Sequence, residues 1–232
     1  MLTLVVMLTS DDTAPMRRIS LVSITTNVSI GTATGLAGAF GPAAVAGYGT
    51  GARLEYLLVP LVFGLGAPLA AMVGTAIGAG RRERATRVAW IGALIASILT
   101  ETIGLAAALF PHAWLSLFGD DPTMTAVGVH YLHVVGPFYG FFGMGLALYF
   151  ASQGAGKLLW PLLAGFARLT IAAGGGWLAV QTSGLTGLFL ALGLAHAVFG
   201  LLVAIAIAAG VWFSGAKAAV PRAVVTEGAK SC

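Results

Sequence analysis

Residues 43–78 read AAVAGYGTGARLEYLLVPLVFGLGAPLAAMVGTAIG, with Arg53 and Glu55 as the only charged side chains. A bilayer core takes about 20 consecutive apolar residues per helix, so this run can cross a membrane with residues to spare. Pro60 and Pro68 remove backbone hydrogen bonds and favour a bend. The expectation is one long, kinked helix; two short re-entrant segments are the alternative that hydropathy leaves open.

Outward from that run, charges and Pro/Gly clusters punctuate five more of similar character. The six are 19–39, 43–78, 86–110, 124–152, 158–180 and 185–213. Composition agrees: 58% of the 232 residues are apolar, only 9% are charged, and mean hydropathy is +0.95. Globular chains carry about a quarter of their residues as charges; 12 Lys and Arg with 8 Asp and Glu could not solvate the surface of a 23.5 kDa globule. Most of the 33 glycines lie inside apolar runs without a triplet period, which excludes collagen and disorder and suits closely packed membrane helices. The fold class is therefore all-α, a polytopic protein of six transmembrane helices over residues 17–213. Residues 1–16 read as an amino-terminal tail and 214–232 as a carboxy-terminal one. Cys232 is the single cysteine, so an intrachain disulfide and a multi-cysteine metal site are both excluded.

The formal charge of +4 does not imply nucleic acid, because the bases flank apolar runs and form no continuous basic face. Short basic loops mark the cytoplasmic side. Arg17, Arg18, Arg81, Arg82, Arg84, Arg87, Lys157, Lys217, Arg222 and Lys230 all fall on one side of a six-span arrangement. The opposite loops, AFGPAA, LFGDDP and QTSG, contain no base. The expectation is a multi-pass inner-membrane protein with both termini cytoplasmic.

Apart from Arg87 at the edge of the third run, four charges lie inside the runs: Arg53, Glu55, Glu101 and Arg168. A charge at bilayer depth must face protein or a water-filled cavity, which makes each a functional candidate. Arg53 and Glu55 are two apart and point about 200° away from each other on a helix, so each needs its own partner. Both lie near the start of their run, where a headgroup-level role competes with a place in a translocation path. Glu101, flanked by Thr100 and Thr102, reads either as a proton or cation site or as a structural pair with a neighbouring helix. His130 and His133 have a spacing that could serve a metal, but no Cys or carboxylate accompanies them; they read as polar residues near the membrane edge, and His196 as a packing residue. No metal site is expected. GAGK at 154–157 fails as a phosphate loop, because Ala151 and Leu158 stand where it needs Gly and Ser or Thr. GYGTG at 47–51 lacks the spacing and the βαβ setting of a dinucleotide site. With no Ser/His/Asp, HExxH or GxSxG pattern either, neither an enzyme nor a nucleotide-driven pump is indicated, and no cofactor is expected.

The block GYGTGARLEYLLVPLVFGLGAPLAAMVGTAIGAGRRERATRVAW (47–90), followed by LFGDDP (117–122), YLHVVGPFYGFFGMGLALYFASQGAGKLLWP (131–161) and FARLTIAAGGGW (166–177), resembles the multidrug and toxic compound extrusion family. In particular it is similar to that family's second half. The resemblance covers residues 17–213 and implies a secondary antiporter that exports organic, often cationic or amphipathic compounds in exchange for H⁺ or Na⁺. It implies twelve spans in two six-helix lobes that open alternately, of which this chain would be the carboxy-terminal lobe and would need a second, from an amino-terminal half or a homodimer. The family's sodium-binding Glu and Asp fall at Asn27 and near Gly143, with no acid in 123–152, which favours H⁺ as the coupling ion. The resemblance also directs attention to Asn27, Thr34, Tyr139, Phe142 and Tyr149 as cavity-lining groups, since aromatic faces suit cationic ligands. Two other readings accompany it: a truncated, non-transporting remnant or membrane interaction partner, and a lipid-precursor flippase.

Overall fold

The structure, a computed structural model, describes residues 27–213. The expected tail at 1–16, the start of the first run with Arg17 and Arg18, and the tail at 214–232 with its three bases lie outside the described residues. Among the described residues every regular element is helical: α1 (27–38), α2 (Pro42–Gly78), α3 (Arg82–Leu109), a short α4 (Pro111–Leu115), α5 (Pro122–Val135), α6 (Tyr139–Gly154), α7 (Leu159–Thr170) and α8 (Gly176–Ala208). A 3₁₀ turn, Gly136–Phe138, joins α5 to α6, and a π-helical turn, Ile171–Gly175, joins α7 to α8.

The decisive run is one helix. Pro42 takes its first turn, where a missing N–H costs nothing, and the helix then passes through both Pro60 and Pro68 without interruption. Its 37 residues extend about 55 Å, well beyond a hydrocarbon core of about 30 Å, so two re-entrant segments are not what the sequence forms. α3 is likewise continuous, and α5 with α6 makes the fourth run.

The fifth and sixth runs are the arms of a hairpin. α8 is two helical arms that meet at Gly184, which has φ 58° and ψ −140°, a backbone conformation open almost only to glycine. The chain reverses there: a Cβ on Gly187 would collide with the Ala179 carbonyl oxygen, and one on Gly176 would lie 3.1 Å from Leu188 Cδ1. In a straight helix residues 176 and 188 would stand about 18 Å apart. QTSG at 181–184 is thus the turn between two membrane-length arms.

α6 runs through the middle of the bundle, against α2, α3 and α8. Backbones approach to contact because glycine carries no side chain: a Cβ on Gly154 would overlap the Ala70 carbonyl of α2, and one on Gly200 the Phe141 carbonyl of α6. The interior falls into two clusters. One gathers Val62, Leu69, Ala89, Ala93, Phe142, Leu148, Phe199 and Val203 toward the Arg-rich end; the other gathers Ala33, Tyr48, Leu58, Tyr131, Tyr139, Leu188 and Phe189 toward the opposite end. Leu94, Ile98, Leu178 and Ile205 are exposed, as lipid-facing side chains are.

Candidate functional site

At the boundary between the two clusters, three polar side chains from three helices converge. Arg168 Nη2 donates to Glu55 Oε1 at 2.7 Å, with the two side chains 11% and 15% exposed. His196 Nε2 lies 3.2 Å from Arg168 Nη2 and 3.3 Å from Glu55 Oε1. Glu55 belongs to α2, Arg168 to α7 and His196 to the second arm of α8, so the cluster joins elements 113 and 28 residues apart from Arg168. His196 has about 18 Å of helix on either side of it before Gly184 and Ala208, which puts the cluster at bilayer depth. Glu55 comes early in its run, yet the length of α2 beyond the core carries it to mid-span.

Each charge is supported. The Arg168 guanidinium lies over Phe142 at 5.0 Å and near Phe199 at 5.9 Å, a setting in which aromatic faces stabilise a cation by about 0.5–2 kcal/mol. His196 packs edge-on to Phe142 and Tyr139, ring centres 5.0 and 5.9 Å away. Its Nδ1 forms no well-aligned hydrogen bond, and the Leu192 carbonyl one turn back is the acceptor within reach. A π turn, which inserts an extra residue and shifts the register of the helix beyond it, begins three residues after Arg168 and brings Ala172 to the cavity wall. The cavity above the cluster holds about 20 Å³, room for a single water-sized molecule, and Ser29, Ile30, Tyr48, Tyr131, Leu192 and Ala195 complete its lining. Tyr131 and Tyr139 face each other through their hydroxyls at 3.4 Å.

Of the residues singled out in the sequence, Glu55, Arg168, Tyr139 and Phe142 come together here. Tyr139, Phe142 and Tyr149 are all buried among the chain's own helices, because the fourth span is the centre of the bundle and turns its aromatic rings inward. Tyr149 packs with Phe150 and Leu158 and takes no part in the cluster. Thr34 bonds the Ile30 carbonyl of its own helix at 2.9 Å, and Asn27 lies exposed at the start of the described residues. Arg53 is exposed and covers the Phe118 ring at 5.0 Å, on the opposite side of α2 from Glu55, as their spacing requires.

Glu101 bonds the backbone of a neighbouring helix. Its Oε2 accepts the Gly140 N–H at 2.6 Å, while the Thr100 hydroxyl lies 2.9 Å from the Tyr139 carbonyl. The 3₁₀ turn at Gly136–Phe138 leaves N–H groups at the start of α6 short of acceptors, and Glu101 of α3 supplies one for Gly140. Reading the sequence as a packing problem missed His196. The available signal was an ionisable ring deep in an apolar run, with no charged side chain on its own arm of α8.

Known proteins fit this architecture. The family model described as MatE matches residues 19–178, more than half of the chain. The chain belongs to the MatE family. A probable multidrug resistance protein NorM of Thermotoga maritima is 27% identical over 137 residues, spanning 57% of this chain and 30% of that one. Among solved structures, the bent form of the Vibrio cholerae MATE transporter VcmN superposes with a TM-score of 0.76 at 21% identity, covering 84% of this chain and 45% of that one. An outward-facing MATE family multidrug resistance transporter of the MOP superfamily gives 0.69 at 18% identity, covering 83% and 45%. This MatE chain therefore spans less than half the length of the relatives it matches, and it shares the fold of MATE transporters embedded in a bilayer.

Proposed function

We propose that this chain is one six-span lobe of a secondary antiporter, not an enzyme, that exports organic cationic or amphipathic compounds by alternating access. It works against a second lobe of the same kind, from the same polypeptide, a separate one or a second copy. H⁺ is the favoured coupling ion over Na⁺, since Asn27 and Gly143 offer no carboxylate where the sodium-binding branch of the family carries them. The membrane is the cell inner membrane, with both termini cytoplasmic, in keeping with the one-sided Arg and Lys loops. The observation that carries the reading is the Glu55–Arg168–His196 cluster. Charges at bilayer depth are costly to keep, and these three border a cavity within a transporter fold.

The test is reconstitution into proteoliposomes with and without a second six-span lobe, following ethidium movement under an imposed pH gradient. Proton-driven movement by the paired lobes alone is the expected result. No movement by the pair overturns the transport reading; equal movement by a demonstrated monomer of this chain overturns the need for a second lobe.

A further inference from the structure

Resting on the antiport reading, we propose that His196, held between Glu55 and Arg168, is a proton-binding site of this lobe. The three atoms that meet form a triangle, Arg168 Nη2, Glu55 Oε1 and His196 Nε2, with sides of 2.7, 3.2 and 3.3 Å. A guanidinium cannot give up its proton and has no lone pair. A hydrogen bond across the 3.2 Å contact therefore forms in the tautomer whose Nε2 presents its lone pair to Arg168 and whose ring proton sits on Nδ1, toward the Leu192 carbonyl. In that state the cluster is neutral: one cation, one anion, one imidazole.

A proton taken up from the bulk solution as hydronium, which leaves as water, adds to the Nε2 lone pair. The new N–H donates to Glu55 Oε1, 3.3 Å away, and the Arg168-to-Nε2 hydrogen bond is lost. Arg168 keeps its seat on Phe142 and Phe199. The net charge of the cluster rises by one. The titratable and charged groups around His196 are Glu55 and Tyr48 from α2, Tyr131 from α5, Tyr139 from α6 and Arg168 from α7. Glu55 is the only one of these that can accept the new proton's hydrogen bond as an anion. Because the cavity admits only a water-sized molecule, the site acts on an organic cation held nearby through its charge, in the sense antiport requires.

The probes are ¹⁵N-histidine spectra and tetraphenylphosphonium binding, both on the full chain in lipid nanodiscs. The chain has four histidines, and Gln at His112, His130 and His133 leaves His196 as the only one. Between about pH 8 and about pH 5, its signal should pass from imidazole to imidazolium, and tetraphenylphosphonium binding should weaken about tenfold in step, the effect of about 1.4 kcal/mol. In His196→Gln the binding should persist and lose that pH dependence. A His196 that stays neutral across the range overturns the site, as does a His196→Gln chain that binds with the wild-type pH dependence. The triple-Gln chain gives the first result even where His196→Gln fails to fold. A titrating His196 in a chain that binds no organic cation here, and moves none when paired with a second lobe in proteoliposomes, would support the proton site and overturn the antiport reading instead.

Discussion

Breaking the Glu55–Arg168 pair from one side should cost far more than removing both charges together. The side chains are 11% and 15% exposed and 2.7 Å apart, so Glu55→Gln leaves a nearly buried guanidinium with no anion, and Arg168→Gln leaves a nearly buried carboxylate. Each single change of this kind costs about 3–5 kcal/mol. Arg168→Gln also forfeits the contacts with Phe142 and Phe199, about 0.5–2 kcal/mol, while the orphaned Glu55 retains His196 Nε2 at 3.3 Å. The double variant places two neutral amides in hydrogen-bonding reach, so its cost should fall short of the summed singles by about 3 kcal/mol. Unfolding of the purified chain in mixed micelles, followed by the fluorescence of its 5 tryptophans, measures all three. Singles below about 1 kcal/mol, the behaviour of an exposed pair, or costs additive within about 0.5 kcal/mol, would refute the reasoning.

Gly154→Ala should destabilise the bundle by about 1–3 kcal/mol, since its Cβ would meet the Ala70 backbone carbonyl, whereas Gly49→Ala, with nothing within 4 Å of its Cβ, should be neutral or mildly stabilising; the same unfolding assay compares them. Glu101→Ala should lower folded yield by stranding the Gly140 N–H, at about 1–3 kcal/mol, and Glu101→Gln, which keeps an acceptor oxygen, should restore most of it; a normal yield for the Ala variant counts against the anchor role. Gly184→Ala should strain the hairpin, because φ 58° with ψ −140° excludes a Cβ, at about 1–3 kcal/mol; unchanged stability would mean the turn adapts. Asp121 caps α5 by accepting from the Thr123 hydroxyl and the Thr123 and Met124 amides, and these bonds, the hydroxyl's foremost, hold its carboxyl below the usual carboxylate range. A group with a lowered folded value contributes its stability at neutral pH and loses it as the pH falls through that value, so hydrogen exchange at Thr123 and Met124 should quicken only on strong acidification, and Asp121→Asn should show no such acid-induced step.

The extent of the resemblance to MATE transporters was legible in the ordered blocks from GYGTG to FARLT, and composition alone gave a membrane protein. Span boundaries came within a few residues where Pro, Gly or charge marks them: Pro42 opens α2, Arg82 lies at the start of α3, and Gly184 turns the last hairpin. Those marks are local, and local chemistry sets helix starts and reversals. Arg53 and Glu55 were correctly placed on opposite faces for the same reason, since helical geometry fixes angles between near neighbours.

Which charges meet is another matter. Glu101 and Arg168 looked alike in the sequence, single charges in apolar runs, yet one caps the start of α6 and the other bridges Glu55 and His196. The partners lie 39 and 113 residues away, beyond any periodicity, and are chosen by how glycine contacts such as Gly154 on Ala70 and Gly200 on Phe141 set helix against helix. Sequence determined that this chain lives in a membrane as helices and that a few charges must find shelter there, because lipid solvates neither bare backbone nor charge. Only the packing of those helices decided which charges share a cavity, because that depends on distances between segments that the linear order does not contain.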